Sequence, residues 1–276
     1  MKHRLPLVCI LLAGLFACGQ SEDKTPPADN TGQMTEADGS TELTVTTADS
    51  LQETAWFTPS PDSGRAPLLV MLPMLRHTHE SYLPFIDSLR GFFANDTLAE
   101  DKTFPHLLNF DLRGHGQSIL KGGDNLVYDT MSDADFFKIP ADINTMLQKV
   151  LADYRDIVDT SRIIVVGASI GANAAILLTE MAPYIDKVVM LSPGLDYHSL
   201  TPSDAFRDFE GKTFIVTTRG DKYSHETVQR LAALKRKNWI LKIYPRGGHG
   251  TDIINQYTIA MNDVIDWIFE EEKAEN

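Results

Sequence analysis

The chain has 276 residues, 43% of them hydrophobic and 23% charged, with a formal net charge of −13. These proportions suit a folded globular domain and exclude a fibrous or compositionally disordered chain. The acidic balance repels a polyphosphate backbone, which excludes nucleic acid as an expected partner.

Lys2 and Arg4 precede an apolar run at 5–17, long enough for the core of an export signal and too short to span a bilayer. Residues 1–17 are therefore read as a signal peptide. Its end, Leu15-Phe16-Ala17-Cys18, resembles the lipobox of bacterial lipoproteins, with the bulky Phe16 as a departure. That resemblance implies Cys18 as a lipidated first residue, a membrane as partner and the bacterial cell envelope as location. An ordinary secretory signal cut near Ala17 is the alternative. Cys9 would leave with the leader, so the mature domain would hold no cysteine for a disulfide and would depend on its core. Residues 19–42 contain no Leu, Ile, Val or aromatic side chain and are rich in Thr, Asp, Gly, Pro and Ser. Such a segment cannot offset the entropy of ordering. Residues 18–42 are thus expected to be the lipidated cysteine and a disordered tether spanning roughly 25–30 Å, with one folded domain over 43–273.

From Leu43 the pattern changes. Leu43-Thr44-Val45-Thr46-Thr47 and Thr54-Ala55-Trp56-Phe57, parted by a turn at Asp49-Ser50, predict a strand pair. Continuous apolar runs follow at 68–72, 107–110, 163–166, 188–191, 214–216 and 239–243. Runs of this kind suit strands buried on both faces. Helical stripes lie between and after them: Ile143, Met146, Leu147, Val150, Leu151 and Tyr154 behind Pro140, and Ile254, Tyr257, Met261, Ile265 and Ile268 closing the domain. The alternation predicts an α/β fold, a mostly parallel sheet with helices on both faces.

The run at 162–166 leads into Gly167-Ala168-Ser169-Ile170-Gly171, and Asn173 to Leu178 continue as a helix. A serine on so sharp a strand-to-helix turn is held out toward solvent, and the flanking glycines remove side chains that would clash. A serine hydroxyl needs an adjacent base, itself oriented by a third group. Downstream of Ser169 stand only His198, His225 and His249, and His249 lies in Gly247-Gly248-His249-Gly250 after the last strand run. His249 is the predicted base; His198 and His225 read as surface residues. The acid belongs at the end of the strand before it, where Gly220-Asp221 follows Thr217-Thr218; Asp196, one strand earlier, is the competitor. The chain order serine, acid, histidine favours Asp221.

These segments, with Asp111-Leu112-Arg113-Gly114-His115-Gly116-Gln117-Ser118, resemble the α/β-hydrolase superfamily over nearly the whole mature domain. Residues 166–173 and 191–197 look like its bacterial dienelactone-hydrolase-like members. The resemblance implies an eight-stranded sheet, and an oxyanion hole formed by the backbone amides of Ile170 and Leu75. One departure stands beside the second donor: Pro73-Met74 occupies the place where the superfamily usually has His-Gly. Backbone donors tolerate side-chain changes.

His77 and His79 lack a third ligand at recognisable spacing, so no metal and no cofactor are expected, and the pair reads as a mobile loop. His115 reads as structural. Asp124, Asp129, Asp133 and Asp135 read as a solvated acidic loop. Only 194–211 separates two strand runs near the site, too little for a large lid. The expected function is therefore hydrolysis of a small or medium carboxylic ester, a small-molecule acyl substrate, through an acyl-enzyme on Ser169. The sequence leaves open an amide, thioester or lactone substrate. A catalytically silent lipoprotein using this fold as a binding module is the reading of another class.

Overall fold

The computed structural model describes residues 39–95, 102–234 and 237–270. The chain divides into two units, Met1–Ala37 and Asp38–Asn276, and the described residues fall in the second. The leader, Cys18 and nearly all of the tether lie outside the described residues.

The strand pair forms as β1 (Thr41–Thr46) and β2 (Gln52–Thr58), antiparallel, with Ser50 turning between them at φ 66°. β1 begins two residues before the apolar pattern does. Thr41 and Glu42 pair with Phe57 and Trp56 while staying exposed, so backbone pairing rather than burial sets this boundary. β3 (Ala66–Leu72), α1 (Leu83–Asn95) and β4 (His106–Asp111) follow. A short hairpin, β5 (Leu120–Lys121) with β6 (Asp124–Asn125), precedes α2 (Asp133–Phe136) and α3 (Ile139–Asp153). The chain continues through β7 (Val158–Ala168), α4 (Ile170–Leu178), β8 (Ile185–Leu191), α5 (Ser203–Asp208), β9 (Lys212–Thr218), α6 (Lys222–Ala232) and β10 (Trp239–Tyr244). α7 (Thr251–Gln256) and α8 (Thr258–Phe269) close it. The last apolar stripe thus spans two helices, because the backbone at Tyr257 leaves the helical region at φ −132°, ψ 93°.

The main sheet has eight strands in the order β1-β2-β4-β3-β7-β8-β9-β10. Only the pairs involving β2 are antiparallel; from β4 to β10 every neighbour is parallel. Alternation along each strand divides the core. Leu68, Val70 and Leu72 pack with α3 to α6 on one face, and Leu69 and Met71 with α1, α7 and α8 on the other. Both faces are covered along the apolar runs of β3, β4, β7, β8 and β9, which is why they read unbroken; the run at 239–243 departs from that expectation, because β10 is the edge strand and leaves Ile240 and Ile243 exposed. No large lid stands over the sheet among the described residues: α2, α5 and the short hairpin are the elements inserted on that side.

In the acidic loop after β4, Asp124, Asp129 and Asp133 are exposed, as expected of solvated charges, and Asp135 alone is half-buried. Fully buried Arg113 holds Asp142 of α3 through Nε–Oδ2 (2.6 Å) and Nη2–Oδ1 (3.0 Å), and Asp49 of the β1–β2 turn through Nη2–Oδ1 (2.7 Å) and Nη1–Oδ2 (3.0 Å). Asp135 accepts from the Ser132 amide and hydroxyl at the start of α2 and lies 3.6 Å from both Lys121 and Lys138. Ion pairing, invisible to composition, ties this loop to the sheet.

Candidate active site

β7 ends at the turn that the glycine spacing predicts. Ser169 adopts φ 54°, ψ −116°, a conformation a non-glycine residue occupies only under constraint. Its amide donates to the Leu191 carbonyl of β8 at 2.8 Å, and its carbonyl accepts from Ala172 and Asn173 in the first turn of α4. A Cβ on Gly167 would run into the Gly171 carbonyl, and one on Gly171 into the carbonyls of Leu72 and Pro73. Only glycines let α4 start against the ends of β3 and β7.

Ser169 Oγ stands 2.8 Å from His249 Nε2, and His249 Nδ1 stands 2.6 Å from Asp221 Oδ2. The carboxylate keeps the imidazole proton on Nδ1 and leaves Nε2 to accept the serine proton. Asp221 sits at the N-cap of α6, where Oδ1 accepts from the Ser224 amide at 3.2 Å. Burial pushes the Asp221 carboxyl up, but hydrogen bonds from His249 and Ser192, with the His249 charge and the Ser224 amide, outweigh it and hold the group below the usual carboxylate range. The His249 loop is fastened at both ends: Thr218 Oγ1 donates to the Gly248 carbonyl at 2.9 Å and the Gly250 amide donates to Ser192 Oγ at 3.0 Å. The three side chains thus come from the C-terminal ends of β7, β9 and β10, where open parallel sheets bind ligands.

Asp196 is not part of this chain of contacts. It is exposed, and its Oδ1 accepts from the Ser199 amide at 2.7 Å. His198 contacts Asp133 at 3.1 Å and His225 lies in α6.

Leu75 lies in the turn directly after β3. His77 N donates to the Met74 carbonyl, and the Arg76 amide donates to His115 Nε2 at 3.0 Å. Burial pushes the His115 pKa down, which keeps the ring a neutral acceptor, and its Nδ1 bonds the Arg113 carbonyl. His115 is therefore the post that holds the Leu75 turn. Among the described residues, neither the Leu75 nor the Ile170 amide has a protein acceptor. The Pro73-Met74 departure is absorbed by packing: Met74 is buried against Gly250 and Ala168. His79 is pinned rather than loose, since its amide and Nδ1 both meet Asp111 Oδ1 (2.8 and 2.9 Å) and its ring stacks on Trp56 at 3.5 Å. No cluster of three metal-ligating side chains occurs among the described residues.

Three residues near the site fall outside the predicted set, although Ser192 and Tyr197 stand in the 191–197 segment that carries the family resemblance. The Tyr82 hydroxyl lies 3.1 Å from both the Leu72 and Val166 carbonyls, bridging β3 and β7 beneath the turn. Ser192 sits at the end of β8 with φ 53°, a strand-end position that marks it only in retrospect. Tyr197, in the loop after it, packs its ring over Gly194, and its hydroxyl donates to the Ser192 carbonyl at 3.4 Å.

The sequence profile of the S33 serine aminopeptidase family matches residues 105–217, a span that holds Ser169 and stops short of Asp221 and His249. No curated protein sequence gives a match. Among solved structures, the chain is similar to the Pyrococcus furiosus esterase Pf2001 (17% identity, 83% of this chain and 89% of that one, TM-score 0.61). It is also similar to acetyl xylan esterase 1 from a Thermoanaerobacterium species (13%, 86% and 86%, 0.62). A third likeness is to a Klebsiella pneumoniae protein described as a dienelactone hydrolase (14%, 84% and 98%, 0.59). At these identities the likeness is one of fold, and the matched proteins are hydrolases.

Proposed function

From the premise that this chain has the α/β-hydrolase fold, we propose that it is a serine hydrolase cleaving a small or medium carboxylic ester through an acyl-enzyme on Ser169. The single observation that carries the reading is the hydrogen-bonded line from Ser169 Oγ through His249 to Asp221.

In this reading His249 Nε2 takes the Ser169 proton as Oγ attacks the acyl carbon, and Asp221, held ionised, stabilises the imidazolium. The amides of Ile170 and Leu75 receive the charge that develops on the carbonyl oxygen. His249 then passes its proton to the departing alcohol, and a water activated by the same imidazole releases the acid. The modest insertions above the sheet favour a small, accessible substrate over a buried lipid tail. We further propose that the domain works in the bacterial envelope on a lipid anchor at Cys18, supported by the lipobox-like leader and the polar segment after it.

Covalent labelling of the purified protein by a fluorophosphonate, abolished by Ser169→Ala, is the expected outcome. An unlabelled wild-type protein would convert the reading to a binding module on a hydrolase fold. A panel of esters, thioesters, lactones and aminoacyl amides then separates the acyl bonds, the last because of the serine aminopeptidase profile.

A further inference from the structure

The turn after β3 takes a conformation that its own residues disfavour. The His77 amide closes it by donating to the Met74 carbonyl at 3.1 Å, and Arg76 lies inside it at φ 69°. A turn of this pattern ordinarily takes glycine at that position, because a side chain there is strained. Two imidazoles, used in opposite senses, hold the peptide that joins Leu75 to Arg76. At its carbonyl end, His77 Nδ1 lies 3.1 Å from the Leu75 oxygen. A carbonyl only accepts, so this nitrogen carries a proton. At its amide end, the Arg76 N–H donates to His115 Nε2 at 3.0 Å. That nitrogen is therefore bare, and the His115 proton sits on Nδ1, which donates to the Arg113 carbonyl at 2.9 Å. His115 is buried and its ring stacks on Tyr128 at 4.9 Å, so the acceptor is fixed in place. Rotating the peptide by half a turn would relieve Arg76. It would also set the Arg76 N–H against the His77 donor and the Leu75 carbonyl against the His115 acceptor.

The polar groups of the turn are all taken but one. The Met74 carbonyl is held by the His77 amide, the Leu75 carbonyl by the His77 ring and the Arg76 amide by His115. Among the described residues, only the Leu75 N–H of these two peptides has no protein partner. In a trans peptide the N–H points opposite to the C=O, so the bond from His77 to the Met74 carbonyl turns the Leu75 N–H outward. Resting on the serine-hydrolase reading above, in which that N–H receives the charge on the substrate oxygen, we propose that His77 and His115 are positioning residues that together hold the Leu75 donor in the oxyanion hole. They do with two side chains what a glycine would do with none. No proton leaves either imidazole. When Ser169 Oγ bonds to the acyl carbon, a C=O electron pair moves onto oxygen, which accepts from the Leu75 and Ile170 amides, and the pair returns as the alcohol departs. The same charge develops when water attacks the acyl-enzyme, so both steps depend on the turn.

The test compares p-nitrophenyl acetate with p-nitrophenyl thionoacetate, in which sulfur replaces the carbonyl oxygen. Sulfur is a weak acceptor, so the thionoester gains little from the two amides. His115→Phe keeps a ring beside Tyr128 but offers Arg76 no acceptor. It should lower kcat and kcat/KM for the ester together by about a hundredfold, the low end for loss of one oxyanion donor, and leave the thionoester rate within about threefold of wild type. His115→Gln, whose Oε1 can stand where Nε2 does, should recover most of the loss. His77→Ala, at a half-buried position, should show the same selective loss in smaller measure, and it decides the matter should His115→Phe fail to fold. Equal losses on the two substrates, a His115→Phe protein of wild-type activity, or no recovery by His115→Gln overturns the proposal. Fluorophosphonate labelling reads the underlying premise separately: a wild-type protein that labels at Ser169 keeps the hydrolase reading whatever the histidine variants do, and one that does not label removes it.

Discussion

Asp221 Oδ2 lies 2.6 Å from His249 Nδ1 at the end of β9, whereas Asp196, at the corresponding place after β8, spends its carboxylate on the Ser199 amide. The two aspartates therefore predict different kinetics. Asp221→Asn keeps the shape but loses the charge that stabilises the imidazolium and fixes its tautomer, and should lower kcat by up to about 10⁴-fold, the loss seen in a well-studied protease triad. Its melting temperature should change little. Asp196→Asn should retain most activity. Steady-state kinetics beside thermal melts of both variants decide it, and the reverse pattern would move the acid to the preceding strand.

The pH dependence follows from the same pair. His249 accepts the Ser169 proton only when neutral, so kcat/KM should fall as pH is lowered and the imidazole gains a proton. Asp221 is held below the usual carboxylate range and stays ionised through that interval. The acid limb of log kcat/KM should therefore have a slope of one. A slope of two, or a flat profile with chemistry rate-limiting, would contradict these roles.

Gly171 is the second test of the elbow. A Cβ there meets the Leu72 and Pro73 carbonyls, backbone atoms with no rotamer to yield. Gly171→Ala should push α4 away from the Leu75 turn and misalign the Ile170 and Leu75 amides. A displacement of about 1 Å in such a site costs on the order of 10²-fold. Activity near wild type in this variant would remove the two amides from the mechanism.

Glu53, in β2, is fully buried and neither carboxylate oxygen has a hydrogen-bond partner. Burial first, then the charge of Asp142, raise its pKa well above the ordinary 4.5 despite Arg113 nearby. The native protein thus holds a proton that the unfolded chain releases above its own pKa. Stability is full below that value and is lost as pH rises toward the raised one. Glu53→Gln should therefore melt higher than wild type near pH 8, by about 2–4 °C for each kcal/mol relieved, and no differently near pH 4. Equal melting temperatures at both pH values would mean that Glu53 is ionised in the native state.

The anchor is tested on the whole precursor. Cys18→Ala should give an uncleaved or soluble species, whereas the wild-type protein should follow the detergent-rich phase of a Triton X-114 extraction. Wild-type protein found in the aqueous phase would argue for an ordinary secretory signal.

Periodicity and glycine spacing are local properties, and through them the amino-acid sequence by itself determined the six apolar strands, the strand pair before them, the turn at Ser169 and the short list of aspartates and histidines. An apolar run buried on both faces looks the same wherever it lies in the sheet, and Gly167 and Gly171 announce a close approach without naming the carbonyls approached. Contacts between distant residues were decided only by the tertiary structure. The strand order brings the ends of β7, β9 and β10 together, so that residues 169, 221 and 249 become neighbours at 2.6–2.8 Å. It is also what turns Asp135 from a solvated charge into an ion-pair partner and His79 from a loose loop residue into a ligand of Asp111. The loop after β8 shows the limit most sharply. Tyr197 and Leu200 close a turn in which His198 and Ser199 both have positive φ, and only Phe136, Asn173 and Tyr223, brought in from three separate helices, hold a His-Ser pair in a conformation that favours Asn-Gly.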